Sequence, residues 1–198
     1  MVSVQSEGRG EELLVPSSVK IVVAGGFGVG KTTMVGAVSE ITPLRTEELL
    51  TEAGEEIDDL AGVEGKNTTT VALDFGRITI NPELVLYLFG TPGQDRFWFM
   101  WDELSVGSIG AVVLVDTRRL DAGFGAIDFF ERRGIPFVVA VNCFEGSHSY
   151  TADEMRQALD VADTVPLVLC DARDRESCKA VLARVIEHAM NRLDAMAG

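Results

Sequence analysis

The chain has 198 residues, of which 46% are hydrophobic, and its formal net charge is −14. This length fits one compact α/β domain, and the acidic balance argues against nucleic acid or anionic lipid as a general partner. No apolar run approaches the ~18 residues of a membrane span, and neither end carries a signal-peptide core or a lipidation motif. The three cysteines lack framework spacing, which is typical of reduced thiols. We therefore expect a cytoplasmic protein without a direct membrane anchor.

The first half of the chain predicts a strand, a helix and a hairpin. In chain order we expect a flexible tail at 1–17, a buried strand at 19–24, a helix at 31–40, an acidic segment at 42–69, and paired strands at 71–78 and 84–89. The first strand is read from its β-branched run, and the hairpin from Asn81-Pro82 between two apolar runs. The acidic segment predicts a short helix after Thr46 and then a loop.

Strands and helices alternate through the second half. We expect strands at 111–116, 137–142 and 166–170, a helix at 121–133, a helix that begins at the capping box of Thr151 and Glu154, and a last helix with an apolar stripe. This alternation predicts a three-layer α/β sandwich with a mostly parallel, six-stranded sheet. The hairpin supplies one antiparallel edge strand. We expect a single domain over residues 18–195.

The stretch GGFGVGKT, from Gly25 to Thr32, has the P-loop pattern G-x-x-x-x-G-K-[ST]. Its glycines permit a backbone that side chains would obstruct, and its N–H groups converge on phosphate oxygens at a helix N-terminus. Lys31 is expected to reach the β- and γ-phosphates, and the hydroxyl of Thr32 to bind Mg²⁺. The predicted phosphate-binding residues are Gly25, Gly26, Phe27, Gly28, Val29, Gly30, Lys31, Thr32, Thr33 and Gly93.

The order of motifs from Val19 onwards resembles that of the Ras superfamily of small GTPases. The P-loop is followed by Thr70, by TPGQ after the third strand, by Asn142 after the fifth strand, and by DAR after the sixth. The chain is most similar to the bacterial MglA-like GTPases and, closer still, to the actinobacterial conservon-type proteins, through FGTPGQDRFWFMW and CDARDRES. The resemblance implies a Ras-like P-loop NTPase fold, GTP and GDP as ligands with Mg²⁺, and slow GTP hydrolysis.

The resemblance also assigns roles by position. Thr70 is similar to the switch-I threonine that binds Mg²⁺, although the run of three threonines leaves the register open by one residue. Gly93 is similar to the switch-II glycine that donates its N–H to the γ-phosphate, and Gln94 to the residue that orients the attacking water. Lys31, Thr70 and Gln94 form the implied catalytic set. The implied base-binding residues are Asn142, Cys143, Glu145, Asp171, Ala172 and Arg173, with the N–H of Ala172 directed at the guanine carbonyl.

Gly90 departs from the superfamily pattern, which places an aspartate there to serve Mg²⁺. If Asn81-Pro82 centre the hairpin, Asp74 lies opposite Phe89 and beside Gly90. Since bound Mg²⁺ usually keeps several waters, the carboxylate of Asp74 could replace the missing ligand through a metal-bound water. The alternative is that Asp74 is a plain polar residue at a strand end. The candidate metal ligands are therefore Thr32, Thr70 and Asp74.

Three further departures affect the site. Phe27 stands where the superfamily usually has glycine, so its ring is expected to crowd Gln94 or an incoming arginine finger. The stretch NCFE, from Asn142 to Glu145, replaces Asn-Lys-x-Asp, and Cys143 cannot stack on a base as a lysine stem does. Glu145 can accept two hydrogen bonds from guanine but is one methylene longer than aspartate. The long segment between the P-loop and the switch-I threonine predicts a switch I that folds on binding.

The aromatic stretch FWFMW follows Gln94. Five large apolar residues in a row cannot all face one core, so part of the stretch is expected to form a partner site, and the alternative is burial under neighbouring helices. The contact residues predicted there are Phe97, Trp98 and Trp101. The resemblance implies a roadblock-fold protein as partner, with other regulators, in a signalling complex that recruits the chain to a membrane.

Two classes of function remain open from the sequence. The first is a GTP-binding switch that hydrolyses GTP slowly without an activator. The second is a nucleotide-impaired interaction module, which the changes at Gly90, Phe27 and NCFE favour and the intact Lys31, Thr32 and Gln94 oppose. ATP as the ligand is a third option.

Overall fold

The computed structural model describes residues 16–42, 44–51, 68–94, 97–144 and 150–197. The strands are β1 (Ser17–Ala24), β2 (Leu44–Thr51), β3 (Thr68–Asn81), β4 (Leu84–Gly90), β5 (Gly110–Asp116), β6 (Phe137–Asn142) and β7 (Leu167–Cys170). The helices are α1 (Lys31–Val38), α2 (Phe99–Ser105), α3 (Asp121–Arg133), α4 (Ala152–Leu159) and α5 (Arg175–Ala197). The predicted tail lies outside the described residues up to position 15.

The strands form one seven-stranded sheet in the order β2-β3-β4-β1-β5-β6-β7. The five strands β4, β1, β5, β6 and β7 run parallel to one another. β3 pairs antiparallel with β4, and β2 pairs antiparallel with β3. The predicted α/β P-loop fold, with a mostly parallel sheet and one reversed strand, is therefore confirmed.

The sheet has one strand more than the six that the sequence predicts. Residues Leu44–Thr51, where a short helix after Thr46 was expected, form β2 and pair with β3 from Leu44 opposite Phe75 to Thr51 opposite Thr68. The loop predicted for the back half of the acidic segment falls largely outside the described residues. β3 is 14 residues long and extends well past β4, so its free edge offers a template for backbone pairing that overrides weak local helix propensity. As a result the reversed strand β3 lies second from the edge instead of at the edge.

Helices cover both faces of the sheet, and alternate residues of the strands point to opposite cores. In β1, Ile21 and Val23 pack towards α1 and α5, whereas Val22 and Ala24 pack towards α2, α3 and α4. The capping box predicted for α4 is confirmed, since the Thr151 N–H donates to Glu154 Oε2 at 2.8 Å and the Glu154 N–H donates to Thr151 Oγ1 at 3.3 Å. Among the described residues, no helix is long and apolar enough to cross a membrane.

Candidate nucleotide-binding site

The candidate site lies where the parallel strands end. The P-loop follows β1, the segment 91–94 follows β4, and the residues after β5, β6 and β7 complete the same edge of the sheet. In open α/β sheets, ligands bind in the crevice outside these carboxyl ends. The topology therefore brings the sequence-predicted motifs together on one side of the molecule.

The P-loop backbone depends on glycine at defined positions. Gly25, Gly28 and Gly30 have φ angles of 137°, 75° and 107°, in a region that other residues rarely adopt. The turn leads directly into α1, whose first residue is Lys31. The backbone N–H groups at this helix start form an anion-binding site because no intrahelical acceptor is available to them.

Lys31 is held against the loop that it serves. Its Nζ donates to the carbonyl oxygens of Gly25 at 2.8 Å and Gly26 at 2.7 Å, and the residue is only 8% exposed. Burial lowers the pKa of Lys31 to about 8, and the nearby charge of Asp74 opposes that shift. A phosphate would supply negative charge and oxygen acceptors to this desolvated ammonium group, so the loop is suited to an anionic ligand.

Asp74 lies beside Gly90, as the hairpin argument requires. The observed register pairs Asp74 with Gly90 itself, one residue away from the predicted pairing with Phe89, and the ladder shifts between Thr79 and Asn81. A Cβ atom built on Gly90 would lie 3.0 Å from Asp74 Cβ and 3.1 Å from its Oδ2. The carboxylate of Asp74 thus occupies the space into which a side chain at position 90 would project.

The Asp74 carboxylate accepts a hydrogen bond from Thr32, the last residue of the P-loop motif. Thr32 Oγ1 donates to Asp74 Oδ2 at 2.5 Å, and Asp74 is 8% exposed. The hydroxyl and the carboxylate are hard oxygen donors of the kind that Mg²⁺ prefers. Among the described residues no group of three His, Cys, Asp or Glu side chains could hold a metal, and Mg²⁺ in nucleotide sites needs only one or two protein ligands because phosphates and water complete its shell.

Seven of the ten predicted phosphate-binding residues line one cavity of about 340 Å³, and Gly25, Gly26 and Val29 do not line it. Its walls are formed by Phe27, Gly28, Gly30, Lys31, Thr32, Thr33, Asp74, Thr91, Pro92 and Gly93. The buried Thr91 hydroxyl faces no hydrogen-bond partner within the described part of the chain. A Cβ on Gly93 would lie 2.6 Å from Lys31 Nζ and 2.8 Å from Phe27 N, so only glycine fits here. The lining of the cavity combines polar and apolar surface, and Pro92 and Gly93, which follow β4, contribute to one of its walls.

Three residues with predicted roles near the γ-phosphate lie in different surroundings. Gln94 is exposed, and the Phe27 side chain is 66% exposed at the rim of the cavity. Thr70 lies in β3 opposite Leu49 of β2, but its side chain is outside the described part of the structure. The predicted crowding of Gln94 by the Phe27 ring stays a prediction.

At the other end of the site, Asn142 connects the P-loop to the segment after β7. Its Nδ2 donates to the Val29 carbonyl at 3.0 Å, and its Oδ1 accepts from the Ala172 N–H at 3.0 Å. Asn142 is 3% exposed, and its two hydrogen bonds connect the P-loop to the loop after β7. The Ala172 N–H, which the resemblance directs at a guanine carbonyl, donates to Asn142 here. Cys143 is exposed next to it, and Glu145 lies outside the described residues.

Asp171 and Arg173 form a local pair after β7. The Arg173 guanidinium donates to both carboxylate oxygens of Asp171, at 3.0 and 2.8 Å, and its backbone N–H donates at 2.9 Å. These bonds from Arg173 lower the pKa of Asp171 to about 2. The pair shapes the DAR loop, whose backbone the Asn142 side chain then holds.

Comparison with known proteins agrees with this geometry. A family described as conserved hypothetical ATP binding protein matches residues 23–192. The chain belongs to this family. An uncharacterized protein of Methanocaldococcus jannaschii is 34% identical over 126 residues, which cover 63% of this chain and 69% of that protein. The G domain of the T. maritima FeoB iron transporter has the same fold, with a TM-score of 0.58 and 16% identity over 87% of this chain and 99% of that domain.

Membership of this ATP-binding family and the G-domain fold both support nucleotide binding.

Two arginines that sequence reasoning missed lie at the same sheet edge, in the turn between β5 and α3. Arg118 binds Asp116, and Arg119 Nη2 donates to the Phe27 carbonyl of the P-loop at 2.5 Å. The sequence feature that could have indicated them is the position of Arg118 and Arg119 two and three residues after Asp116, the last residue of a buried strand.

The aromatic stretch after Gln94 divides between core and surface. Phe97 is 6% and Trp101 2% exposed, because α2 packs against α3 and Trp101 contacts Phe129 and Phe130. These two residues therefore cannot form the predicted partner surface. Trp98 is 39% exposed and lies over Gly125 of α3, and Phe99 is 61% exposed. Phe99 replaces the buried pair as a candidate contact.

Proposed function

We propose that this protein is a GTP-binding switch that hydrolyses GTP slowly. The observation that carries the proposal is the phosphate cradle, in which glycine-dependent P-loop geometry, a buried Lys31 and the Thr32–Asp74 pair line one cavity. A scaffold without nucleotide would have no use for a desolvated lysine, since burying a cation without a bound anion costs stability. The resemblance to MglA-like and conservon-type GTPases supports the same function.

The residues suggest how hydrolysis would proceed. The P-loop N–H groups and Lys31 would stabilise the charge on the β- and γ-phosphates, and Gln94 would orient the attacking water. Thr32 would bind Mg²⁺ directly, while Asp74 would hold a water of its shell. The ion would supply charge neutralisation at the phosphates when bound. Positioning and electrostatics of this kind supply most of the catalysis in P-loop NTPases.

ATP is the second candidate ligand. The family description names ATP, and the Ala172 N–H that would recognise guanine O6 already donates to Asn142 at 3.0 Å. A base would have to share or displace that bond. GTP remains the first candidate because Asn142, Ala172 and the acidic Glu145 stand in the order of a guanine-reading site.

Nucleotide titration tests the proposal directly. GTP, GDP and ATP would be titrated into the purified protein with Mg²⁺ and with EDTA, and we expect Mg²⁺-dependent binding that favours guanine nucleotides. Lys31→Ala should abolish binding. The matched control is Lys179→Ala, since Lys179 is a partly exposed lysine that donates a hydrogen bond to Glu176 on the same helix. A parent protein that binds none of the three nucleotides would refute the proposal and favour a pure interaction module.

A partner is expected to dock on switch II. Trp98 and Phe99 are exposed beside the cavity wall formed by Pro92 and Gly93, and aromatic residues are enriched at interface hot spots. The family resemblance supports a roadblock-fold protein as this partner, with recruitment of a cytoplasmic chain to a membrane complex. Phe99→Ala should then weaken partner binding without changing nucleotide affinity, and unchanged partner affinity would exclude this surface.

A further inference from the structure

The turn after β5 holds an arginine in a fixed plane. Arg118 Nε donates to Asp116 Oδ1 at 3.0 Å, and its Nη2 donates to Oδ2 at 2.7 Å. The Arg118 backbone N–H also donates to Oδ1 at 2.9 Å. Asp116 is 3% exposed, and the hydrogen bonds from the Arg118 side chain lower its pKa. A bidentate pair with a buried carboxylate fixes the orientation of the guanidinium group.

One face of this guanidinium is covered and the other is accessible. The Arg118 Cζ lies 4.0 Å from the centroid of the Phe144 ring, which is a stacking distance. The Arg118 side chain is nevertheless 54% exposed. Asp116 occupies one edge and Phe144 one face, which leaves the opposite face as the one that a ligand could contact. A flat, charged surface is therefore presented to a ligand.

This surface lies at the base end of the site. In the sheet, Asp116 pairs with Asn142, and Cys143 follows immediately where the family pattern has a lysine whose stem stacks on the base. The adjacent Arg119 points the other way and contacts the P-loop at Phe27. The turn thus connects the phosphate end of the cleft to the NCFE stretch, which contains Phe144.

We propose that the Arg118 guanidinium is the stacking platform for the nucleotide base and replaces the lysine stem that Cys143 lacks. Arginine planes stack on π-systems, and stacking is tolerant of base identity because every base has a π-face. Arg118 therefore contributes affinity for guanine and adenine alike. The inference rests on the proposed nucleotide binding and adds a specific contact to it.

The test compares ligands with and without a base. Arg118→Ser removes the guanidinium plane and leaves no side-chain stem on which a base could stack, while the backbone N–H of residue 118 still donates to the Asp116 carboxylate. We expect affinity for Mg-GTP and Mg-ATP to fall roughly three- to thirty-fold, while the affinity for inorganic tripolyphosphate, measured by competition, stays unchanged. Arg132→Ser is the control, since Arg132 is paired with Asp128 on the exposed face of α3.

Each outcome has a defined meaning. Equal losses for nucleotides and tripolyphosphate would overturn the inference, because Arg118 would then act only by holding the loop. Unchanged affinity for all three ligands would overturn it as well. If the parent protein binds tripolyphosphate but neither GTP nor ATP, both the inference and the proposed function fail. If the parent binds nucleotides and Arg118→Ser behaves like the Arg132→Ser control, the proposed function stands and the inference alone fails.

Discussion

Moving the carboxylate from Asp74 to position 90 tests whether the two positions serve one metal site. The variant Asp74→Gly/Gly90→Asp restores the arrangement of the superfamily pattern. A side chain at position 90 would start 3.1 Å from the present Asp74 Oδ2, which in turn lies 2.5 Å from Thr32 Oγ1. The relocated carboxylate can therefore reach the same hydroxyl. We expect Asp74→Gly alone to weaken Mg²⁺ affinity of the nucleotide complex roughly ten- to a hundred-fold, as loss of an outer-shell ligand does, and the double variant to recover most of it.

Gly90→Asp alone should be destabilising, because Asp74 still fills the space. Two carboxylates about 4 Å apart repel by about 4 kcal/mol at an effective dielectric constant of about 20, in addition to the overlap of the new Cβ with Asp74. Gly90→Asn adds nearly the same volume without the charge, so it separates repulsion from overlap. The free energy of unfolding in EDTA, from denaturant titration, measures both variants.

Two results would refute this reasoning. If the double variant requires as much Mg²⁺ as Asp74→Gly alone, position 90 cannot replace position 74 and the two positions do not serve one metal site; if Asp74→Gly alone leaves Mg²⁺ affinity unchanged, the metal role of Asp74 is wrong. If Gly90→Asp and Gly90→Asn are equally stable, charge repulsion at this site is negligible, and the two carboxylates would not exclude each other.

The remaining predictions concern the rim, the core and the thiols. Phe27→Gly should raise the basal or the partner-stimulated rate in single-turnover GTP hydrolysis, because the ring lies at the cavity rim. Equal rates for the variant and the parent would show that the ring does not slow hydrolysis. Trp101→Ala should cost about 3–5 kcal/mol of unfolding free energy in denaturant titration, and Trp98→Ala clearly less, since Trp101 is 2% and Trp98 39% exposed. Iodoacetamide at pH 8 should label Cys143, and bound nucleotide should protect it. Burial raises the pKa of Cys170 to about 12, so its thiolate forms only at higher pH, and labelling of Cys170 at pH 8 would contradict this.

The motifs with local geometry could be predicted from the sequence. The P-loop needs only its glycines, Lys31 and Thr32 in consecutive positions, so its cradle forms where the pattern lies. Asp74 was located to within one residue, because a hairpin turn fixes cross-strand neighbours, and the error arose from the irregular pairing near Asn81. Rules that depend only on neighbouring residues therefore predicted the phosphate-binding part of the site.

Features that depend on distant contacts could not be predicted in the same way. β2 forms because β3 offers a free edge, and nothing within Leu44–Thr51 indicates that partner. The stretch FWFMW has five apolar residues, and only packing against α3 decides that Trp101 is buried and Phe99 is exposed. Arg118 was missed because its stacking partner Phe144 follows a different strand.

The hydrogen bond of Trp101 has a practical consequence for spectroscopy. Trp101 Nε1 donates to the Pro92 carbonyl at 3.1 Å, and the next residue, Gly93, lies against Lys31 and Phe27 of the P-loop. A ligand that displaced Gly93 would therefore also act on this bond. Indole emission shifts when its N–H loses a buried partner, and the chain has only two tryptophans, both in this region. Trp101 thus offers an intrinsic optical probe next to the wall of the candidate nucleotide-binding cavity, which can be followed without any attached dye.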